Sequence, residues 1–148
     1  MTIRLADAAA TEEFGRRLAA YVRPGDVVTL TGTLGAGKTS LARGLLAALG
    51  LPGEAPSPSF AIVQPYAPPE TAIPVLHVDL YRLDGPEQMD ELGLDEALWD
   101  SALIVEWPDR AGAGAWPQAL ALTLEMDPDG GRILTAQVPS GWEGRWPI

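Results

Sequence analysis

The stretch GTLGAGKT, Gly32 to Thr39, follows a short apolar run, DVVTL (26–30), and opens an amphipathic one at 38–49. It meets the pattern G-x-x-x-x-G-K-[ST] in full through Gly32, Gly37, Lys38 and Thr39. Few motifs constrain a fold as tightly. The loop needs a strand that ends where a helix begins, so that successive backbone N–H groups turn inward and the helix N-terminus adds its partial positive charge. The strand before it is short and mostly apolar, as in a buried parallel sheet. Lys38 is the only lysine among 148 residues, and the other nine basic side chains are arginines. A single ammonium inside a glycine-rich loop points to a nucleotide phosphate.

The residue types explain the chemistry. The backbone of Leu34, Gly35, Ala36 and Gly37 is expected to wrap the phosphates, with Lys38 reaching the β- and γ-oxygens. The Thr39 hydroxyl is a hard oxygen ligand for Mg²⁺. GTPases of the large switch family read guanine with an Asn-Lys-x-Asp element, which this chain cannot contain because its one lysine is already in the loop. ATP is therefore favoured, although other guanine-reading schemes exist. Such a loop also needs an acid at a strand end, and two fit: Asp79 after IPVLHV and Glu106 after ALIV. Each is a candidate both for the metal and for orienting water. His77 lies two residues before Asp79, hence on the same strand face, and reads as a structural hydrogen-bonder.

The rest of the chain fits one α/β domain, residues 1–148, of the P-loop NTPase-like three-layer kind. Its sheet is expected to be mostly parallel, with an antiparallel C-terminal extension. Residues 2–5 suit a short edge strand. Thr11 is expected to cap the first helix, with Glu12 and Glu13 in its first turn and Phe14, Leu18 and Val22 on one face. Pro24-Gly25 ends that helix, and Gly50 ends the one that begins at Lys38. FAIVQPY, IPVLHVDLY and ALIVEW read as strands. Residues 86–99 suit short helices interrupted at Gly93, with Pro86 in a first turn. ALALTLEMDPDGGRILTAQV alternates as two antiparallel strands around DPDGG.

Charge narrows the partners. The formal net charge is −10, and residues 84–109 hold nine carboxylates and no basic side chain. Nucleic-acid binding depends on Lys and Arg neutralising phosphates, so direct nucleic-acid binding is not expected, and the acidic segment reads either as a solvated helix face or as a dock for a basic protein partner. There is no cysteine, hence no disulfide framework or thiolate metal site. No run approaches the ~18 apolar residues of a membrane span, and the start has no signal-peptide pattern. The reading places the chain in the cytoplasm.

Four separated blocks together resemble one family, the small bacterial ATPase of tRNA threonylcarbamoyladenosine synthesis, TsaE. LGAGKTSLARGLLAALG resembles its phosphate loop and helix, and SPSF (57–60) its Ser-Pro-Thr-aromatic switch. HVDLYRL (77–83) resembles the signature bearing its second acid, and VEWPD (105–109) its Glu-Trp-Pro element. Ser59 stands where threonine is usual and Thr33 where an acid is common. The resemblance implies slow Mg-dependent hydrolysis of ATP in support of a two-subunit threonylcarbamoyl transferase complex, of TsaD and TsaB type proteins. In that scheme the ATPase resets the complex between turnovers and does not itself perform the transfer. It also implies that Lys38, Asp79 and Glu106 are catalytic, and that Thr39, Glu106 and Asp79 serve the metal. Ser57 and Ser59 would belong to a loop sensing the γ-phosphate, and Thr11 and Arg132 would be further nucleotide contacts, on weaker flank similarity. Two other readings keep the phosphate loop: a P-loop kinase of small molecules, and a nucleotide-gated binding module without turnover. The arginines are scattered, with none between Arg82 and Arg110, which argues against the arginine-rich lid of a kinase.

Overall fold

The computed structural model describes residues 2–33, 37–51, 63–83, 92–112 and 114–146. Seven strands form one sheet in the order β1-β7-β6-β2-β5-β4-β3. They are β1 (Thr2–Leu5), β2 (Val27–Gly32), β3 (Val63–Tyr66), β4 (Val75–Asp79), β5 (Ala102–Glu106), β6 (Leu120–Met126) and β7 (Arg132–Gln137). Helix α1 (Ala8–Ala19) follows β1, α2 (Lys38–Ala48) follows β2, and α3 (Leu94–Ala97) precedes β5. The pairings β4–β5, β5–β2 and β2–β6 are parallel. Those of β1–β7, β7–β6 and β3–β4 are antiparallel. The C-terminal hairpin is thus the expected antiparallel extension, but β6 enters the sheet parallel to β2, which alternation within a strand cannot reveal.

The alternation of side chains along the central strands builds two cores. Val28, Leu30, Ile104, Leu120 and Leu122 point to one face, where Phe14, Leu18, Leu41 and Leu45 of α1 and α2 cover them. Val27, Leu103, Val105 and Val78 point to the other, beneath Leu80, Leu83 and Leu94. Burying each such side chain is worth about 1.5–3 kcal/mol, so strands apolar on both sides can only lie inside a layered fold. Trp142 and Trp146 of the tail are 1% and 9% exposed and join the first core. Arg145 between them binds Asp26 through Nη1 at 2.6 Å and Nη2 at 3.0 Å, tying the tail to the start of β2.

Helix α1 starts one turn earlier than expected. Asp7 is its N-cap, accepting from the Ala10 N–H at 2.8 Å. Thr11 is interior and fully buried, its hydroxyl donating to the Asp7 carbonyl at 3.0 Å, and no acid lies in the first turn. Both residues suit a cap, but Thr11 is the first buried residue of the helix, so the exposed Asp7 takes the role. The end of α2 is as expected: Gly50, at φ +116°, follows the cap residue Leu49. Gly93 at φ +66° enters α3, whereas Pro86 lies outside the described residues. No helix among the described residues is long and apolar enough to cross a membrane.

Candidate functional site

β2 delivers the chain to α2 at the carboxyl end of the parallel strands, and the residues singled out by the sequence meet there. Gly37 is the N-cap of α2 at φ +108°, a conformation open to glycine and strained for other residues. A Cβ at Gly37 would also lie 3.1–3.2 Å from the Arg132 side chain and from the Thr11 methyl. Thr11 on α1 and Arg132 at the start of β7 therefore flank the loop, although 100 and more positions separate them. Leu34, Gly35 and Ala36 lie outside the described residues, as do Ser57 and Ser59.

Lys38 is 4% exposed. Its Nζ donates to the Gly32 carbonyl at 2.6 Å and the Thr33 carbonyl at 3.0 Å, and sits 4.3 Å from the centre of the Trp107 ring. Burial pushes its ammonium below the usual lysine range, against the opposite pull of the Glu106 and Asp79 carboxylates. Asp79 and Glu106 are direct partners in the β4–β5 register, so their side chains leave the same face side by side. Burial pushes the Asp79 carboxyl up; the Tyr81 N–H, donating to Oδ1 at 3.0 Å, opposes this and the Glu106 charge adds to it. The Thr39 hydroxyl lies 3.5 Å from Glu106 Oε1, and the second oxygen of Glu106 lies 2.7 Å from Nε2 of His77. That contact is buried, with the two side chains 1% and 3% exposed.

The sequence places Trp107 next to the site, with packing against nucleotide or partner and a purely structural role both open. Trp107 is the one non-glycine residue with positive φ among those described, at +60°, a state costing about 1–3 kcal/mol. The turn lets its N–H donate to the Leu30 carbonyl at 3.3 Å and lays its ring between Lys38 and Tyr81, whose ring centre is 4.9 Å away. Neither this stack nor Arg110 over Tyr81 at 5.4 Å could be read from local sequence.

These groups define what the site can do. One ammonium, a helix N-terminus and the flanking Arg132 suit a polyphosphate. No three His, Cys, Asp or Glu side chains among the described residues form a metal cage. One hydroxyl beside two carboxylates instead fits Mg²⁺, which is held by a few hard oxygens and completed by phosphate and water.

The family model for threonylcarbamoyl adenosine biosynthesis protein TsaE matches residues 5–134. A Streptomyces coelicolor protein named tRNA threonylcarbamoyladenosine biosynthesis protein TsaE is 49% identical over 96 residues, 64% of this chain and 65% of its own. The chain thus spans just under two thirds of that relative. A Bacillus subtilis protein of the same name is 36% identical over 126 residues, 84% of this chain and 77% of its own. The crystal structure of Bacillus subtilis YdiB superposes with a TM-score of 0.81 at 27% identity, covering 98% of this chain and 89% of that one.

Proposed function

This chain belongs to the TsaE family, and from that premise we propose that it is a Mg-dependent ATPase acting on a two-subunit threonylcarbamoyl transferase complex between turnovers. Its place in tRNA threonylcarbamoyladenosine biosynthesis follows from the family. The ATPase activity rests on one observation above all: Lys38, Thr39, Asp79 and Glu106 converge where β2, β4 and β5 end.

Bound Mg-ATP supplies an electrophilic γ-phosphorus and a cation that neutralises its oxygens. The chain supplies the rest. Lys38 exchanges the Gly32 and Thr33 carbonyls for phosphate oxygens, and its low ammonium pKa is raised again by that negative charge. Backbone N–H groups from Leu34 to Thr39 bind the phosphates, with Arg132 and Thr11 beside them. Thr39 and Glu106 would hold Mg²⁺, the Thr39 hydroxyl and Glu106 Oε1 lying 3.5 Å apart. Asp79, adjacent in register and raised in pKa, orients a water and takes its proton. Trp107 walls Lys38 off from solvent, which strengthens every charge interaction inside. The partners are TsaD and TsaB type proteins, the chain is cytoplasmic, and tRNA is not bound stably.

The test is Mg-dependent ATP hydrolysis by the protein alone and with the cognate transferase complex. Hydrolysis should be slow alone, faster with the complex, and at background in Lys38→Ala. Hydrolysis that ignores the complex would overturn the proposed partner, and equal rates in Lys38→Ala would overturn the site.

A further inference from the structure

We propose that His77 is a positioning residue that fixes the Glu106 carboxylate, restricting it to a single free oxygen and so dividing the work between the two acids. The inference rests on the site assigned above but is argued from a group that assignment does not use.

His77 is the only histidine in the chain. Its side chain and that of Glu106 are 1% and 3% exposed and meet at 2.7 Å. In the β4–β5 register His77 stands opposite Ile104 and Asp79 opposite Glu106, so Glu106 reaches diagonally back to His77 across one face of the sheet. The other ring nitrogen, Nδ1, is buried and has no hydrogen-bond partner among the described residues. That asymmetry fixes the proton. A carboxylate accepts, so Nε2 must carry the hydrogen; with the proton on Nδ1, two lone pairs would face each other at 2.7 Å and a donor would be buried unmet. A bare acceptor at Nδ1 is the smaller loss.

A glutamate has three side-chain torsions, and a buried hydrogen bond to one oxygen removes most of that freedom. With Oε2 held by His77, only Oε1 faces the Thr39 hydroxyl. Glu106 then presents Oε1 to a cation while Oε2 is turned to His77 and away from the Thr39 hydroxyl. The water-orienting role falls to Asp79, two residues beyond His77 on the same strand. Partners that orient a metal-holding carboxylate in this way matter about 10–100-fold in metal affinity or activity.

The first test needs neither nucleotide nor metal. Because there is one histidine, its two ring ¹⁵N resonances can be assigned without ambiguity in the metal-free protein. The Nε2–H pattern should be present in the wild type, persist in Asp79→Asn and collapse in Glu106→Leu, which leaves no acceptor opposite the ring. An Nδ1–H pattern, or an averaged one in the wild type, overturns the proposal. The second test compares His77→Leu with His77→Gln, which keeps an N–H donor. His77→Leu should raise the half-saturating Mg²⁺ for hydrolysis about 10-fold or more, change metal-free ATP affinity less than about 2-fold, and be largely rescued by His77→Gln. An unchanged Mg²⁺ requirement in folded His77→Leu, or equal loss of metal-free ATP binding without rescue, overturns it. Failure of the site itself reads differently: Lys38→Ala would then be as active as the wild type, whatever the imidazole pattern.

Discussion

Asp79 sets chemistry against stability. Burial and the Glu106 charge hold its carboxyl above the usual range, so between the unfolded and folded pKa values the native state binds more protons than the unfolded one. In that window stability falls as pH rises, and at neutral pH the charged group is a net cost. Asp79→Asn should therefore lose hydrolysis while melting roughly 2–4 °C higher at pH 7.5, an upper figure because partial exposure screens the charge. Scans of the metal-free protein in chelator should show the gain shrinking as pH falls toward 4. An unchanged or lower melting temperature at pH 7.5 would contradict this account. Both acids could be found in the sequence because each ends an apolar run long enough to be a buried strand. The His77–Glu106 bond could not. It depends on the register of β4 against β5, and nothing local to either strand encodes that. Thr11 and Arg132 likewise reach Gly37 only because helix α1 and strand β7 are brought to the loop by the fold.

At the scale of elements, the tightest constraint is where α1 crosses α2. A Cβ on Gly15 would lie 2.1 Å from the Leu41 carbonyl oxygen, and one on Gly44 would lie 1.9 Å from that of Glu12. Both contacts are with backbone, so neither can be relieved by turning a side chain. Gly15→Ala and Gly44→Ala should each destabilise by about 1–3 kcal/mol, even though alanine is the better helix former. Gly141→Ala, with nothing within 4 Å of the added carbon, should stay within about 0.5 kcal/mol of the wild type. Urea melts followed by circular dichroism read all three, and a stabilised Gly44→Ala would refute the close crossing. A glycine inside a helical pattern reads as a weakness from sequence, whereas here it permits two backbones to touch. Propensity also placed the first cap at Thr11, since it does not count how far the buried face extends. The stronger periodic elements, β2, α2 and β5, were legible nearly to the residue.

The whole molecule carries a net charge of −10, with Asp95, Glu96 and Asp100 exposed on and just after α3. A surface of one sign chiefly sets how fast a partner is met. Asp95→Asn with Glu96→Gln should slow association with the transferase complex about 3-fold or more at low salt and flatten its salt dependence, with dissociation little changed. Stopped-flow binding across a salt series measures this, and an unaltered salt slope would remove the acidic face from the interface. The closure of the sheet has a further bearing, on synthesis. Thr2 of β1 pairs with Thr135 of β7, and β7 in turn holds the free side of β6. Strand β1 thus waits through about 130 residues of translation for its neighbour, a separation that slows pairing. Until then the backbone groups of β1 and of the flank of β6 bond only to water, and a ribosome-stalled chain lacking residues 132–137 should be protease-sensitive at both.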